Sequence, residues 1–173
     1  MVNTDNPNKM VIVFSHHNSY FINRLGVPTP ADPEDSIRSY SGGQLARRLG
    51  RYPNVMAWVN GHSHSCTITP HEHEDPQRSF WEITSPSFVD WPQLARIFEV
   101  ADNRDGTLSI FTTLVEPDVP ADPTDAQDEQ ERLASLCRQI CVNDFENLGD
   151  DLLGDPTDCN TELLLAHPFK AGL

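Results

Sequence analysis

Positive charge is scarce in this sequence: 12 lysines and arginines stand against 26 aspartates and glutamates, for a formal net charge of −14. That balance argues against a nucleic-acid or anionic-membrane surface, and it suits a protein that holds cations. Cysteine is sparse as well. Cys66, Cys137, Cys141 and Cys159 form no Cys-x-x-Cys pair, and Cys137 and Cys141 are spaced as helix neighbours. Free thiols in a reducing compartment are therefore expected. No apolar stretch approaches the ~18 residues of a membrane span, and no basic-then-apolar leader opens the chain, so a soluble, cytoplasmic protein is the expectation. Hydrophobic residues reach only 38%, and the 14 prolines outnumber the 9 glycines, which predicts a packed portion joined to loop-rich segments. Internal repeats are lacking. So is a Gly-x-Ser-x-Gly elbow, which leaves Ser15-His16 a weak start for a serine hydrolase. The 173 residues suit one domain with its own core.

What the sequence does carry is a pair of strand-like runs that each deliver histidine. Val55-Met56-Ala57-Trp58-Val59 is short, apolar and partly β-branched, which predicts a buried strand, and Asn60-Gly61-His62-Ser63-His64 follows it. Gly61 is expected to turn the backbone sharply and bring it close to a neighbour. The alternation of His62 and His64 sets two imidazoles near one another, and neutral imidazole is the commonest protein ligand for zinc-like and iron-like cations. Two polar loop histidines are the plain alternative. Upstream, Met10-Val11-Ile12-Val13-Phe14 predicts a strand buried on both faces, as inside an α/β sheet, and it ends at Ser15-His16-His17. Histidines at the carboxyl ends of two strands stand where open α/β sheets bind ligands.

Between these strands, residues 18–40 hold Pro28, Pro30 and Pro33 with several acids and predict a loop, a candidate lid. Ser41-Gly42-Gly43-Gln44 has the form of a capping box, before Leu45, Ala46, Leu49 and Tyr52 at helical spacing. Gly50 and Pro53 should stop that helix. Strand, loop, helix, strand makes a βαβ unit with parallel strands. Arg47, Arg48 and Arg51 complement the helix dipole on a solvated face, although such a row could also hold phosphate. Cys66–Arg78 reads as a polar surface loop, with His71-Glu72-His73-Glu74 as a second cluster that could bind metal on its own. Phe80–Thr84 predicts a strand, and Arg96–Ala101 with Thr107–Val115 a hairpin about Asp105-Gly106. An EF-hand in that turn is excluded, since Ala101 and Thr112 would occupy its first and twelfth ligand positions. Residues 116–131 read as an acidic, proline-rich linker. Thr124-Asp125-Ala126-Gln127 should then cap a helix running to about Asn143, docked through Leu133, Leu136, Cys137, Ile140 and Cys141. Leu163-Leu164-Leu165 is a candidate last strand.

Taken in order, Val11-Ile12-Val13-Phe14-Ser15-His16-His17 and Val59-Asn60-Gly61-His62-Ser63-His64 resemble the last two metal-binding blocks of the calcineurin-like metallophosphoesterases. Phe80-Trp81-Glu82-Ile83, Ser87-Phe88-Val89-Asp90-Trp91-Pro92 and the Asp105-Gly106 turn look like a bacterial branch of that family, so the resemblance spans roughly residues 10–115. It implies an α/β fold: the carboxyl-terminal half of a metallophosphoesterase-type β-sandwich flanked by helices, with an acidic tail carrying one helix. Residues 1–115 would be the partial metallophosphoesterase domain, and 116–173 the linker, helix and tail. It further implies two divalent cations, for which manganese, iron and zinc (Mn, Fe or Zn) all accept the mixed nitrogen and oxygen ligands. A hydroxide between them would hydrolyse a phosphoric mono- or diester. His16 and His62 would bind one metal and His64 the other. His17 would be the alternative to His16, or a residue behind the ligands.

Three other blocks of that family, Asp-x-His, Gly-Asp-x-x-Asp and Gly-Asn-His, do not precede these histidines. Gly154-Asp155-Pro156-Thr157-Asp158 fits the second by letter, but it follows the histidines in an acidic stretch and reads as a chance match. The expectation is a metal site incomplete by itself, inactive or weakly active until an amino-terminal half supplies the rest. The alternatives are a non-catalytic metal-binding domain and an interaction module that self-associates through an open sheet edge. Neither nucleic acid nor membrane is an expected partner.

Overall fold

The computed structural model describes residues 9–25, 40–145 and 152–169. It contains two sheets. Strands β1 (Val11–Phe14), β2 (Val55–Asn60), β3 (Thr67–His71) and β4 (Phe80–Thr84) form the first, in the order β1-β2-β4-β3. β1, β2 and β4 are parallel, and β3 runs antiparallel to β4. Strands β5 (Ala95–Asp102), β6 (Thr107–Val115) and β7 (Thr161–Ala166) form the second, all antiparallel. Helices α1 (Ser19–Leu25) and α2 (Gly42–Leu49) lie in the β1–β2 crossover, and α3 (Glu129–Val142) follows β6. The class is α/β.

The two sheets face one another. Met56, Ala57, Val59 and Ile83 of the first meet Leu108, Ile110, Leu163 and Leu165 of the second. Burying each of the larger side chains contributes roughly 1.5–3 kcal/mol. The opposite face of the first sheet packs Val55, Trp58 and Phe80 against Ala46 and Leu49 of α2. Every residue of β2 is buried, because it has a strand on each side and a packed layer on each face.

α2 begins as its sequence dictates. Ser41 Oγ accepts from the Gln44 backbone N–H and Gln44 Oε1 accepts from the Ser41 N–H, which satisfies two otherwise orphaned donors. Gly42 is required sterically: a Cβ there would lie 2.0 Å from the Ser19 carbonyl oxygen, where α1 and α2 cross. At the hairpin, Gly106 takes φ 91° and Asp105 Oδ1 accepts from the Thr107 N–H at 3.0 Å.

Several expectations need correction. β1 is an edge strand and not one buried on both faces; Phe14 is 71% exposed. Residues 19–25 are helical, so the 18–40 segment is not all loop, and residues 26–39 lie outside the described residues. The 66–78 segment holds strand β3. Its Pro70 costs no ladder bond at an edge, and part of that edge is occupied by Asp158 Oδ1, which accepts from the Ile68 N–H at 2.8 Å. α3 is capped by Asp128, not Thr124, because Pro123–Asp125 makes a separate helical turn. Its docked side carries Ser135 and Cys141, while Leu133 and Ile140 are 55% and 71% exposed. The Leu163–Leu165 run is part of β7, which completes the second sheet against β6.

Candidate metal centre

Parallel pairing brings the loops after β1, β2 and β4 to one end of the first sheet. Ser15 N–H donates to Val59 O at 3.1 Å, Gly61 N–H to His16 O at 3.0 Å and Ser85 N–H to Asn60 O at 2.8 Å, so the ladder continues past the strands and locks the loops together. The sharp backbone conformations fall on the histidines and not on Gly61. His62 and His64 have φ 69° and 56°, whereas a Cβ on Gly61 would meet nothing closer than 3.9 Å. Non-glycine residues hold left-handed conformations only where their surroundings over-determine them, and such positions cluster at functional sites.

Three imidazoles converge there. His62 Nδ1 lies 3.0 Å from His16 Nε2, and the ring centroids of His17 and His62 are 4.3 Å apart. One ring nitrogen from each of His16, His17 and His62 can be chosen so that all lie within 4.8 Å of one another. Phe21 of α1 stands edge-on to His62 at 4.5 Å. The cluster also lowers the His62 pKa from its ordinary value, through partial desolvation and then through repulsion by His17, His16 and His64. The neutral form is the one that ligates a cation.

His64 is set apart from this trio. Its Nδ1 is 2.8 Å from Asp90 Oδ2. An ionised carboxylate can only accept, so Nδ1 carries the proton, and in the neutral ring Nε2 is the nitrogen left to ligate. Asp90 is itself held by its loop: its N–H donates to Ser87 Oγ at 3.1 Å, and its Oδ1 accepts from the Trp91 N–H at 2.9 Å. A carboxylate fixing tautomer and ring orientation is the arrangement that supports histidine ligands in metal sites.

Beneath the loops lies a buried polar network. Glu82, in the middle of β4, accepts from the Ser19 N–H at 2.7 Å and from Asn60 Nδ2 at 2.9 Å through Oε1. His71 Nε2 donates to its Oε2 at 2.8 Å, and Thr84 Oγ1 donates to Asn60 Oδ1 at 2.7 Å. Burial raises the Glu82 pKa, but the hydrogen bonds from His71 and Ser19 outweigh it and hold the carboxyl below its usual range. The network ties α1 to the sheet at the residue directly after His17-Asn18. Asn18 adds a second tie, with Oδ1 accepting from the Phe21 N–H at 3.0 Å.

The donor set fits a divalent cation. Two nitrogens each about 2.0–2.1 Å from one ion, at angles of about 90–110°, are about 2.8–3.4 Å apart, a range that includes the His16–His62 spacing of 3.0 Å. The His16, His17 and His62 group could therefore hold a metal ion. The structure thus brings His16, His17 and His62 together and places His64 on Asp90. The second cluster does not converge on an ion: His71 is engaged by Glu82, and His73 Nδ1 accepts from the Asp75 N–H at 3.0 Å. The aspartates of Gly154–Asp158 are equally occupied, Asp158 bonding Ile68 and Asp155 through its two oxygens. Among the described residues no helix is long and apolar enough to cross a membrane.

Comparison with protein-family models and with curated proteins finds no match to this chain. Glu82 and Asp90 received no role from the sequence. Glu82 had a usable signal, a single carboxylate inside the apolar run Phe80-Trp81-Glu82-Ile83. Asp90 lies in the Ser87–Pro92 block, but nothing local there pairs it with His64, 26 residues away.

Proposed function

We propose that this chain is the carboxyl-terminal part of a metal-dependent phosphoesterase of the calcineurin-like type, acting on phosphoric mono- or diesters. The observation that carries the reading is the arrival of His16, His17 and His62 at the carboxyl ends of adjacent parallel strands, with ring nitrogens at ligand spacing. His16 and His62 hold one cation, His17 completes that group, and His64, oriented by Asp90, presents Nε2 to a second. A divalent ion there supplies Lewis acidity, stabilising charge on phosphoryl oxygens and lowering the pKa of water. The protein's part is to keep the imidazoles fixed and close, with the pKa of His62 lowered toward its neutral form. Manganese, iron and zinc all suit imidazole with added oxygen ligands.

A complete two-metal centre also needs carboxylate ligands, and the histidine group contains none. The activity is therefore assigned to this chain together with a segment bearing Asp-x-His, Gly-Asp-x-x-Asp and Gly-Asn-His. Hydrolysis of bis(p-nitrophenyl) phosphate with added manganese, measured for the chain alone and mixed with such a segment, tests it. Turnover in the mixture that is lost in His62→Ala is expected; no turnover in the mixture contradicts the proposal. The all-nitrogen ligand group favours a second reading, a non-catalytic metal-binding domain, which predicts tight metal binding with no hydrolysis in either sample.

A further inference from the structure

A second concave site lies on the helix-bearing side of the first sheet, between α2 and the edge strand β3. It is a groove of about 650 Å³ whose wall includes Arg47, Arg51, Arg78, His71, His73 and Glu72. Its charge is opposite to that of the chain. Three arginines face one acid in the wall, a local balance of +2 (3 − 1), in a molecule whose formal net charge is −14. Scattered surface charge in so acidic a chain would give a negative wall.

The cations come from separate elements that folding brings together. Arg47 and Arg51 are one turn apart on and just after α2, and both are exposed. Arg78 and the histidines stand across the groove, on the β3–β4 connection and the end of β3. Among the described residues neither Arg47 nor Arg51 has a carboxylate partner. Arg78 has only a long contact, Nε to Asp75 at 3.8 Å, of a kind worth little in water. His73 is preset as a donor: its Nδ1 accepts the Asp75 N–H, so the proton sits on Nε2. The volume is that of a small-molecule site. Guanidinium forks match the paired oxygens of phosphate and add geometric selectivity to charge.

We infer that this groove binds a phosphate-bearing small molecule through Arg47, Arg51 and Arg78, at a site sharing no residue with the histidine cluster. The arginine row on α2 is then one wall of a binding site and not merely a solvated helix face.

Inorganic phosphate is the probe. It is titrated into the chelator-treated full chain, with chloride at matched ionic strength as control, and followed by backbone amide resonances. The expected result is saturable shifts at Gly43, Gly50, Arg51 and His73 with phosphate and not with chloride. They should persist in His62→Ala and weaken about tenfold or more in Arg47→Gln/Arg51→Gln, a change of two exposed side chains that leaves the rest of the spectrum in place. Arg47→Lys/Arg51→Lys should bind at an intermediate level, keeping charge without the fork. Absence of saturation, equal shifts with chloride, unchanged affinity in Arg47→Gln/Arg51→Gln, or shifts confined to residues 61–64 would each overturn the inference. Since the metal is removed and His62→Ala is included, the outcome is independent of whether the histidines bind metal.

Discussion

Asp90 Oδ2 lies 2.8 Å from His64 Nδ1, and the loop that follows β4 holds that carboxylate from behind. The loop after one strand thus orients a ring delivered by another. Removing the carboxylate in Asp90→Ala should leave the fold intact and cost about 10–100-fold in metal affinity or in metal-dependent activity. Asp90→Asn, whose amide oxygen can still accept from Nδ1, should lose less. Circular dichroism and a metal titration on both variants check this.

Glu82 is the structural counterpart of that pair. It joins α1, β2 and β3 through hydrogen bonds from three groups while being almost fully buried. Glu82→Ala would leave the Ser19 N–H, Asn60 and His71 without their acceptor, and should destabilise the fold by about 3–5 kcal/mol, since each buried donor left unsatisfied costs roughly 1–3 kcal/mol. Chemical denaturation is the measurement.

The same residue sets an acid sensitivity. Its folded-state pKa is held below the usual carboxyl value by hydrogen bonds from His71 and Ser19, against the opposing effect of burial. The native state therefore binds fewer protons than the unfolded chain just below the unfolded pKa of about 4.3. Its contribution to stability is full above that pH and is lost as pH falls through the folded value. Stability measured across pH 6 to 3 should fall more steeply for the native chain than for Glu82→Gln, which has no proton to take up.

Gly42 makes a steric prediction. Because its Cβ would meet the Ser19 carbonyl oxygen at 2.0 Å, Gly42→Ala must push α1 from α2. The cost should be about 1–3 kcal/mol, as for overpacking elsewhere, despite alanine's better helix propensity. Thermal unfolding of the variant tests it.

Local rules made parts of this fold legible. Ser41 and Gln44 announce the capping box, Asp105-Gly106 the hairpin, and the apolar run 55–59 the central strand. Non-local facts were hidden. That β1 is an edge depends on which strands pair, and nothing within Val11–Phe14 encodes it. β3 was masked by Pro70, a strand breaker except at an edge. The exposure of Ile140 and the burial of Ser135 follow from where α3 docks, on the 87–93 loop through Gln93–Cys137 and Cys141–Val89 contacts. In the site, spacing identified the histidines, but grouping His17 with His16 and His62, and His64 with Asp90, required the loops in space.

The central claim, that histidines at the strand ends hold a divalent cation, is tested most directly by cobalt(II) titration of the native chain and of His16→Ala/His62→Ala. Cobalt accepts the same nitrogen ligands as zinc and reports on its ligands by visible absorption. The native chain should bind cobalt with saturable visible bands that zinc displaces, and the double variant should lose them while keeping its circular dichroism spectrum. Equal cobalt uptake and identical spectra in the two proteins would contradict the assignment.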